Sequence, residues 1–99
     1  MEEFVYYNNL FDIYSDLLTD NEKSNFKDYY QEDLSLSEIA DNNNISKSAV
    51  GKMVKTVLEK LDYYEKILKI YYKSQKIKEI LEKEKNKELK ERIEKILND

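Results

Sequence analysis

Leu36-Ser37-Glu38-Ile39-Ala40-Asp41-Asn42-Asn43-Asn44-Ile45-Ser46-Lys47-Ser48-Ala49-Val50 reads as two short helices joined by a tight turn. A helix-turn-helix crosses its helices at about 90–120° through three or four turn residues. The crossing requires a small side chain where the helices touch, and Ala40 stands there. It requires apolar anchors on both helices, and Ile39, Ile45, Val50 and Met53 have the spacing. The turn requires left-handed backbone, and Asn44 occupies the place where Gly is preferred, Asn being the next best choice. The second helix requires an N-cap, and Ser46 supplies one. These demands are independent of one another, and a generic amphipathic hairpin meets only some of them.

The same capping chemistry extends outward. Thr19 precedes Glu22 by three residues and Ser35 precedes Glu38 by three, two capping boxes. They predict a second helix over 20–32, burying Phe26, Tyr29 and Tyr30, a third over 36–42, and a fourth starting at Lys47. Upstream, Phe4, Tyr7, Phe11, Tyr14 and Leu18 alternate at three and four, the stripe of a first helix over 2–18. Downstream, Val54, Val57, Leu61, Tyr64, Leu68 and Tyr71 keep that alternation. One long helix to about 85 is expected, then a terminal segment over 87–98 with a hinge near Asn86. Gly occurs once and Pro never, which removes the usual turn devices of sheets. The expected fold is all-α: a helical bundle with a helix-turn-helix domain over 1–60 and a long C-terminal helical extension over 61–99.

Composition closes several function classes. The chain has no Cys and no His, so disulfides, thiolate chemistry, zinc-finger ligation and imidazole bases are unavailable. Asp41-Asn42-Asn43-Asn44 lacks the Gly and the terminal Glu of a calcium loop. Glu79 and Glu82 form an i,i+3 pair, which reads as a solvated helix face in the absence of a cleft. No Gly-rich phosphate loop occurs. The chain reads as a non-enzyme with no cofactor and no metal. No apolar run approaches the ~20 residues that span a bilayer. Met1-Glu2-Glu3-Phe4 has no basic n-region, so a cytoplasmic protein without membrane insertion is expected.

Charge locates the functional face. The net charge of −4 hides a split: residues 1–43 carry eleven acids and two bases, residues 44–99 ten acids and fifteen bases. Any nucleic-acid contact must therefore be local to the basic part. A recognition helix enters the major groove with its N-terminal turns. Its outward positions here are Ser46, Lys47, Ser48, Gly51, Lys52 and Lys55, and residues 46–58 hold three Lys and no acid. Lys meets phosphate or a guanine edge, and Ser meets phosphate or either base type. Lys60 would extend the phosphate track. DNA is the partner these residues favour. Gly51 removes a base-reading side chain, and on an exposed face it would allow close backbone approach. The alternative is an ordinary solvated lysine face; the motif context tips the balance. The nine Tyr suit base stacking or, more commonly, core and interface packing. The seam Val54, Val57, Leu61, Tyr64, Leu68 and Tyr71 is the expected homodimer interface, with two recognition helices related by a two-fold axis. A monomer with the long helix folded back on the first two helices is the alternative.

Leu18-Thr19-Asp20-Asn21-Glu22-Lys23, with Asp33 to Ala40 and Ile45 to Val50, resembles region 4 of sigma-70-type factors. Asn9-Leu10-Phe11-Asp12-Ile13-Tyr14, Leu17-Leu18-Thr19 and Tyr63-Tyr64-Glu65 narrow the resemblance to the YlxM family of small bacterial helix-turn-helix proteins, over residues 8–70. That resemblance implies a mostly helical cytoplasmic protein. It also implies an accessory or regulatory role in the signal recognition particle pathway, through the particle's GTPase or its RNA. By position it places Lys47 and Lys52 to Lys55 on the recognition helix. Gly51, where a larger residue is expected, and Asn44 depart from the family pattern.

Overall fold

A computed structural model describes residues 2–99, with side chains from Glu3 onward. Regular structure among them is helical: α1 Glu2–Tyr14, a 3₁₀ turn Ser15–Leu17, α2 Asp20–Tyr30, α3 Leu36–Asn43, α4 Lys47–Leu68, α5 Ile70–Glu82 and α6 Lys87–Asn98. The chain divides after Leu68 into a body and a C-terminal arm.

In the body, both predicted capping boxes form. Thr19 Oγ1 accepts from the Glu22 amide at 3.2 Å, and Glu22 Oε1 accepts from the Thr19 amide at 2.9 Å. Ser35 and Glu38 repeat the exchange at 3.1 and 3.0 Å. A good N-cap contributes ~1 kcal/mol. The first cap also explains a departure from the sequence reading. Thr19 must be extended to cap α2, and it is, at φ −71 and ψ 161. The first helix therefore gives way after Tyr14 to the 3₁₀ turn instead of running to Leu18, which is itself extended yet still buried. α2 stops at Tyr30, and Asp33 then takes a left-handed conformation.

The core gathers Leu10, Phe11 and Tyr14 of α1, Leu18 of the connection after the 3₁₀ turn, Phe26 and Tyr30 of α2, Ile39 and Ala40 of α3, and Val50, Val54, Val57 and Leu61 of α4. Phe26 stacks between Phe11, 4.3 Å away centroid to centroid, and Tyr30, 4.8 Å away. Asn25 is the buried polar side chain, and its amide donates to the Asn21 carbonyl at 2.8 Å.

Tyrosines latch α1 to α4. Tyr7 donates to Asp62 at 2.9 Å, Tyr14 to Glu65 at 2.7 Å, and Tyr64 to the Leu17 carbonyl at 3.3 Å. The Tyr7 hydroxyl faces the Asp62 carboxylate and the Tyr30 hydroxyl that of Glu3, so ionising either sets like charges together. Burial, then Asp62, pushes Tyr7 up to about 12 from 10.0. Burial, then the Glu3 carboxylate, does the same to Tyr30. A raised folded pKa means that the folded state holds the proton longer. The stabilisation is thus complete below pH 10 and is lost as pH rises from 10 towards 12. Melting temperature should fall across that window together with late tyrosinate absorbance. An identical alkaline midpoint in Tyr7→Phe/Tyr30→Phe would refute the assignment.

Two sequence expectations change here. The seam drawn as a homodimer interface is largely spent inside one chain: Val54, Val57 and Leu61 are core residues, 6%, 0% and 0% exposed. They cannot meet a second copy without opening the body. Of the remainder, Tyr64 is half-buried, Leu68 exposed, and Tyr71, in the arm, half-buried. The long helix also does not run to 85. It breaks at Lys69, which is left-handed at φ 55 and ψ 30. That conformation costs a non-Gly residue roughly 1–2 kcal/mol, and no Gly or Pro marks it. The body ends at Leu68 rather than at residue 60, because Leu61, Tyr64 and Glu65 carry packing and hydrogen bonds into the first helical segment.

The arm is a helical hairpin. Asn86, where the sequence suggested a hinge, caps α6, its side chain accepting from the Leu89 amide at 3.0 Å. Leu81 is the arm's buried residue. Lys78, Leu81 and Glu82 of α5 line a shallow cleft with Lys90, Glu94 and Leu97 of α6.

Candidate nucleic-acid interface

The turn between α3 and α4 is built as its sequence suggested. Asn44 is left-handed at φ 55 and ψ 41, and its amide donates back to Ala40 and Asp41. The Ile45 amide donates to the Ala40 carbonyl at 3.1 Å. Ser46 Oγ accepts from the Ala49 amide at 3.0 Å and so caps α4. Ile39 and Val50 are fully buried and Ala40 is nearly so. These contacts fix α4 against α3 and α2. Ile45 is the exception among the predicted anchors, remaining 39% exposed. Met53 is half-buried, its sulfur 4.0 Å from the Asn25 amide nitrogen.

This packing turns Val50, Val54 and Val57 inward, and the opposite face of α4 points out. Ser46, Lys47, Ser48, Lys52 and Lys55 are all exposed. Ser48, Lys52 and Lys55 follow one another at i, i+4 and i+7, so they form one stripe, with Lys47 beside it. Among the described residues, none of the three lysines is in an ion pair; the pairs are Lys23–Asp16, Lys60–Glu22 and Lys76–Glu79. The first turn of α4 holds no acid. Lys47 there works against the helix dipole, a cost of roughly 0.3–1 kcal/mol. The result is a helix end where amide dipoles and an ammonium group attract the same anion.

Lys60 does not extend that stripe. Its ammonium sits 2.5 Å from Glu22. Burial alone would raise the Glu22 carboxyl, but the Lys60 ammonium and the Thr19 donors outweigh it and hold the carboxyl below its usual value. Lys60 is raised in turn by that contact. One carboxylate thus caps α2 and ties it to α4. The spacing of Thr19 and Glu22 showed the cap; the pairing with Lys60, thirty-eight positions on, is tertiary.

Gly51 also changes meaning. It is half-buried rather than fully exposed, and it faces α3: a Cβ built there would lie 3.9 Å from Leu36 Cδ1, an ordinary contact. It floors a shallow groove with Tyr29, Leu36, Lys55 and Leu58, which the sequence did not single out as a group. Gly51→Ala should therefore stabilise the body by about 0.5–1 kcal/mol, through helix propensity. That corresponds to about 4 °C in melting temperature. A lower melting temperature would mean that Leu36 cannot accommodate the methyl group.

No helix of the described residues is long and apolar enough to cross a membrane. The α3–turn–α4 unit is thus an ordered scaffold presenting a short, acid-free basic stripe.

The family model described as "Putative helix-turn-helix protein, YlxM / p13 like" matches residues 1–99. A UPF0122 protein of Fusobacterium nucleatum is 41% identical over 97 residues, covering 98% of this chain and 94% of the relative. UPF0122 proteins of Malacoplasma penetrans and Bacillus pumilus are 42% and 40% identical, covering 85% and 84% of this chain and 78% and 76% of theirs. With its capped α3, left-handed Asn44 and capped α4, the chain belongs to the UPF0122 family of YlxM / p13-like helix-turn-helix proteins.

Proposed function

We propose that this protein is a non-enzymatic regulator that docks α4 against nucleic acid, with DNA the favoured partner. The observation that carries the reading is the exposed, acid-free stripe of Lys47, Lys52 and Lys55 on a helix capped by Ser46. Lys47, Lys52 and Lys55 meet phosphates, while Ser46 and Ser48 reach phosphate or a base edge. Three ammonium groups and no arginine on the stripe give positioning more than base discrimination. Gly51 adds no reading side chain. The protein works in the cytoplasm as a homodimer, through surfaces other than Val54, Val57 and Leu61.

A second reading makes the same unit a docking surface for the signal recognition particle, through its GTPase or its RNA. The resemblance to YlxM proteins motivates it. The exposed acids Glu38 and Asp41 on α3, which would repel DNA and RNA phosphates alike, favour only its GTPase arm. Titrating the full chain against random duplex DNA, the particle RNA and the particle GTPase separates the two. Salt-dependent binding to duplex DNA supports the first. Binding to the GTPase or particle RNA with none to duplex DNA supports the second.

A further inference from the structure

Gly51 is a glycine that the fold does not require. It lies in the interior of α4, where Gly is among the poorest helix formers, and its backbone is not left-handed. A Cβ there would meet Leu36 Cδ1 at 3.9 Å, so packing does not exclude a side chain. What the missing side chain leaves is open space. Gly51 floors the shallow groove walled by Tyr29, Leu36 and Leu58, with Lys55 at its edge. At about 220 Å³ the groove is smaller than the roughly 300–1,000 Å³ pockets that enclose whole small molecules, so it takes one ring or one side chain.

Two polar groups of the lining are uncommitted. The Tyr7, Tyr14, Tyr30 and Tyr64 hydroxyls all donate to protein oxygens. The Tyr29 hydroxyl has no such acceptor among the described residues, while its half-buried ring packs edge-on against Tyr30, 5.2 Å between centroids. Lys55 is the charged residue of the lining and is in no ion pair among the described residues. The groove also adjoins the basic stripe. Ser48, Gly51, Lys55 and Leu58 follow at i, i+3, i+7 and i+10, so the groove shares Lys55 with the stripe, and Ser48 stands one turn before its floor. Glu59, one turn beyond Lys55, is outside the lining. A leucine or isoleucine of a protein partner fills such walls but answers neither polar group. A nucleobase brings a flat apolar face, a polar edge and a phosphate one sugar away.

We propose that the groove receives one unpaired base of a nucleic acid held on the α4 stripe. The base lies over Gly51 against the Tyr29 ring, its polar edge meets the Tyr29 hydroxyl, and its phosphate meets the Lys55 ammonium. A paired base is stacked inside its duplex and cannot reach a groove on the flank of the helix; an unpaired one can be splayed out to it. The partner class is therefore a duplex interrupted by an unpaired nucleotide. The inference rests on the reading of α4 as a nucleic-acid contact and deepens it.

Anisotropy titrations of the full chain test it, with a continuous DNA duplex and the same duplex carrying two unpaired nucleotides in one strand. The wild type should bind the bulged duplex about tenfold more tightly, the effect of one base stacked on an aromatic ring. Tyr29→Leu removes the ring and the hydroxyl. It should bring the ratio of the two affinities to about one and leave continuous-duplex affinity within about twofold. Gly51→Leu fills the floor and should bring the ratio to about one as well. Both variants should melt as the wild type does; where one does not, the other decides. The same pair of probes in RNA identifies the source of the base, and a preference in either series supports the proposal. Equal affinity for bulged and continuous probes in both series overturns it and leaves α4 standing as a nucleic-acid contact. Absence of binding to every probe overturns both. A preference that survives in both variants assigns the effect to the flexibility of the bulged duplex and overturns the proposal. So does Tyr29→Leu losing the particle GTPase while its ratio is unchanged, which gives the groove to a protein.

Discussion

Lys52→Glu combined with Lys55→Glu should lower affinity for duplex DNA about 100-fold at roughly 0.1 M salt, and by a similar factor for every sequence. Both side chains are exposed and unpaired among the described residues, so their replacement leaves the core untouched. Each lysine that neutralises a phosphate releases condensed counterions, and the salt dependence of binding counts them. Losing two such contacts should flatten the slope of log K against log salt by about two. The added carboxylates repel the backbone as well. The check is a fluorescence anisotropy titration at several salt concentrations, with melts showing the variant to be folded. An affinity and slope unchanged within twofold would remove α4 as the nucleic-acid contact. A drop for one sequence alone would point to base reading, against the positioning role inferred for the stripe.

Phe26→Ala should produce the largest loss of stability, about 3–5 kcal/mol. Phe26 is fully buried and stacked on Phe11 and Tyr30, so truncation removes contacts on both ring faces and joins helices across a void. A domain of this size has roughly 3–10 kcal/mol in total. The melting temperature should therefore fall by about 15–30 °C, and α4 would no longer be held against α2. Phe26→Leu keeps most of the volume and should cost much less. Ile96→Ala, at an exposed position, should move the body's melt by under ~0.5 kcal/mol. A fall of only a few degrees in Phe26→Ala would mean that the stack is not central to the body.

The helix-turn-helix was legible because its requirements are local. An N-cap, a left-handed turn residue and a small crossing residue are each properties of a few consecutive positions, and Ser35, Asn44, Ser46 and Ala40 meet them in place. The arm's last helix was legible through the spacing of Leu89, Ile93 and Ile96, while Asn86, expected as a hinge, proved to be its cap. The exposed lysines followed from periodicity: once Val50, Val54 and Val57 face inward, Lys52 and Lys55 must face out.

What could not be read locally concerns which apolar face meets which. A three-four seam looks the same whether a second copy or the chain's own helices cover it. The sequence therefore left Val54, Val57 and Leu61 open to either use. Tertiary packing assigned them to the body, because α1 and α2 bring Leu10, Phe11, Tyr14 and Phe26 to the same core. Lys69 illustrates the same limit, since its left-handed backbone has no residue-type signature. Lys60 lost its place in the basic stripe to Glu22, an encounter between side chains far apart in sequence. By itself the sequence determined the helical elements, their caps and the outward basic face, since short-range sterics and hydrogen bonding govern these. Only the tertiary structure decided where the long helix breaks, which seam is core and which lysines remain available, since those outcomes depend on contacts that the chain makes after it has folded.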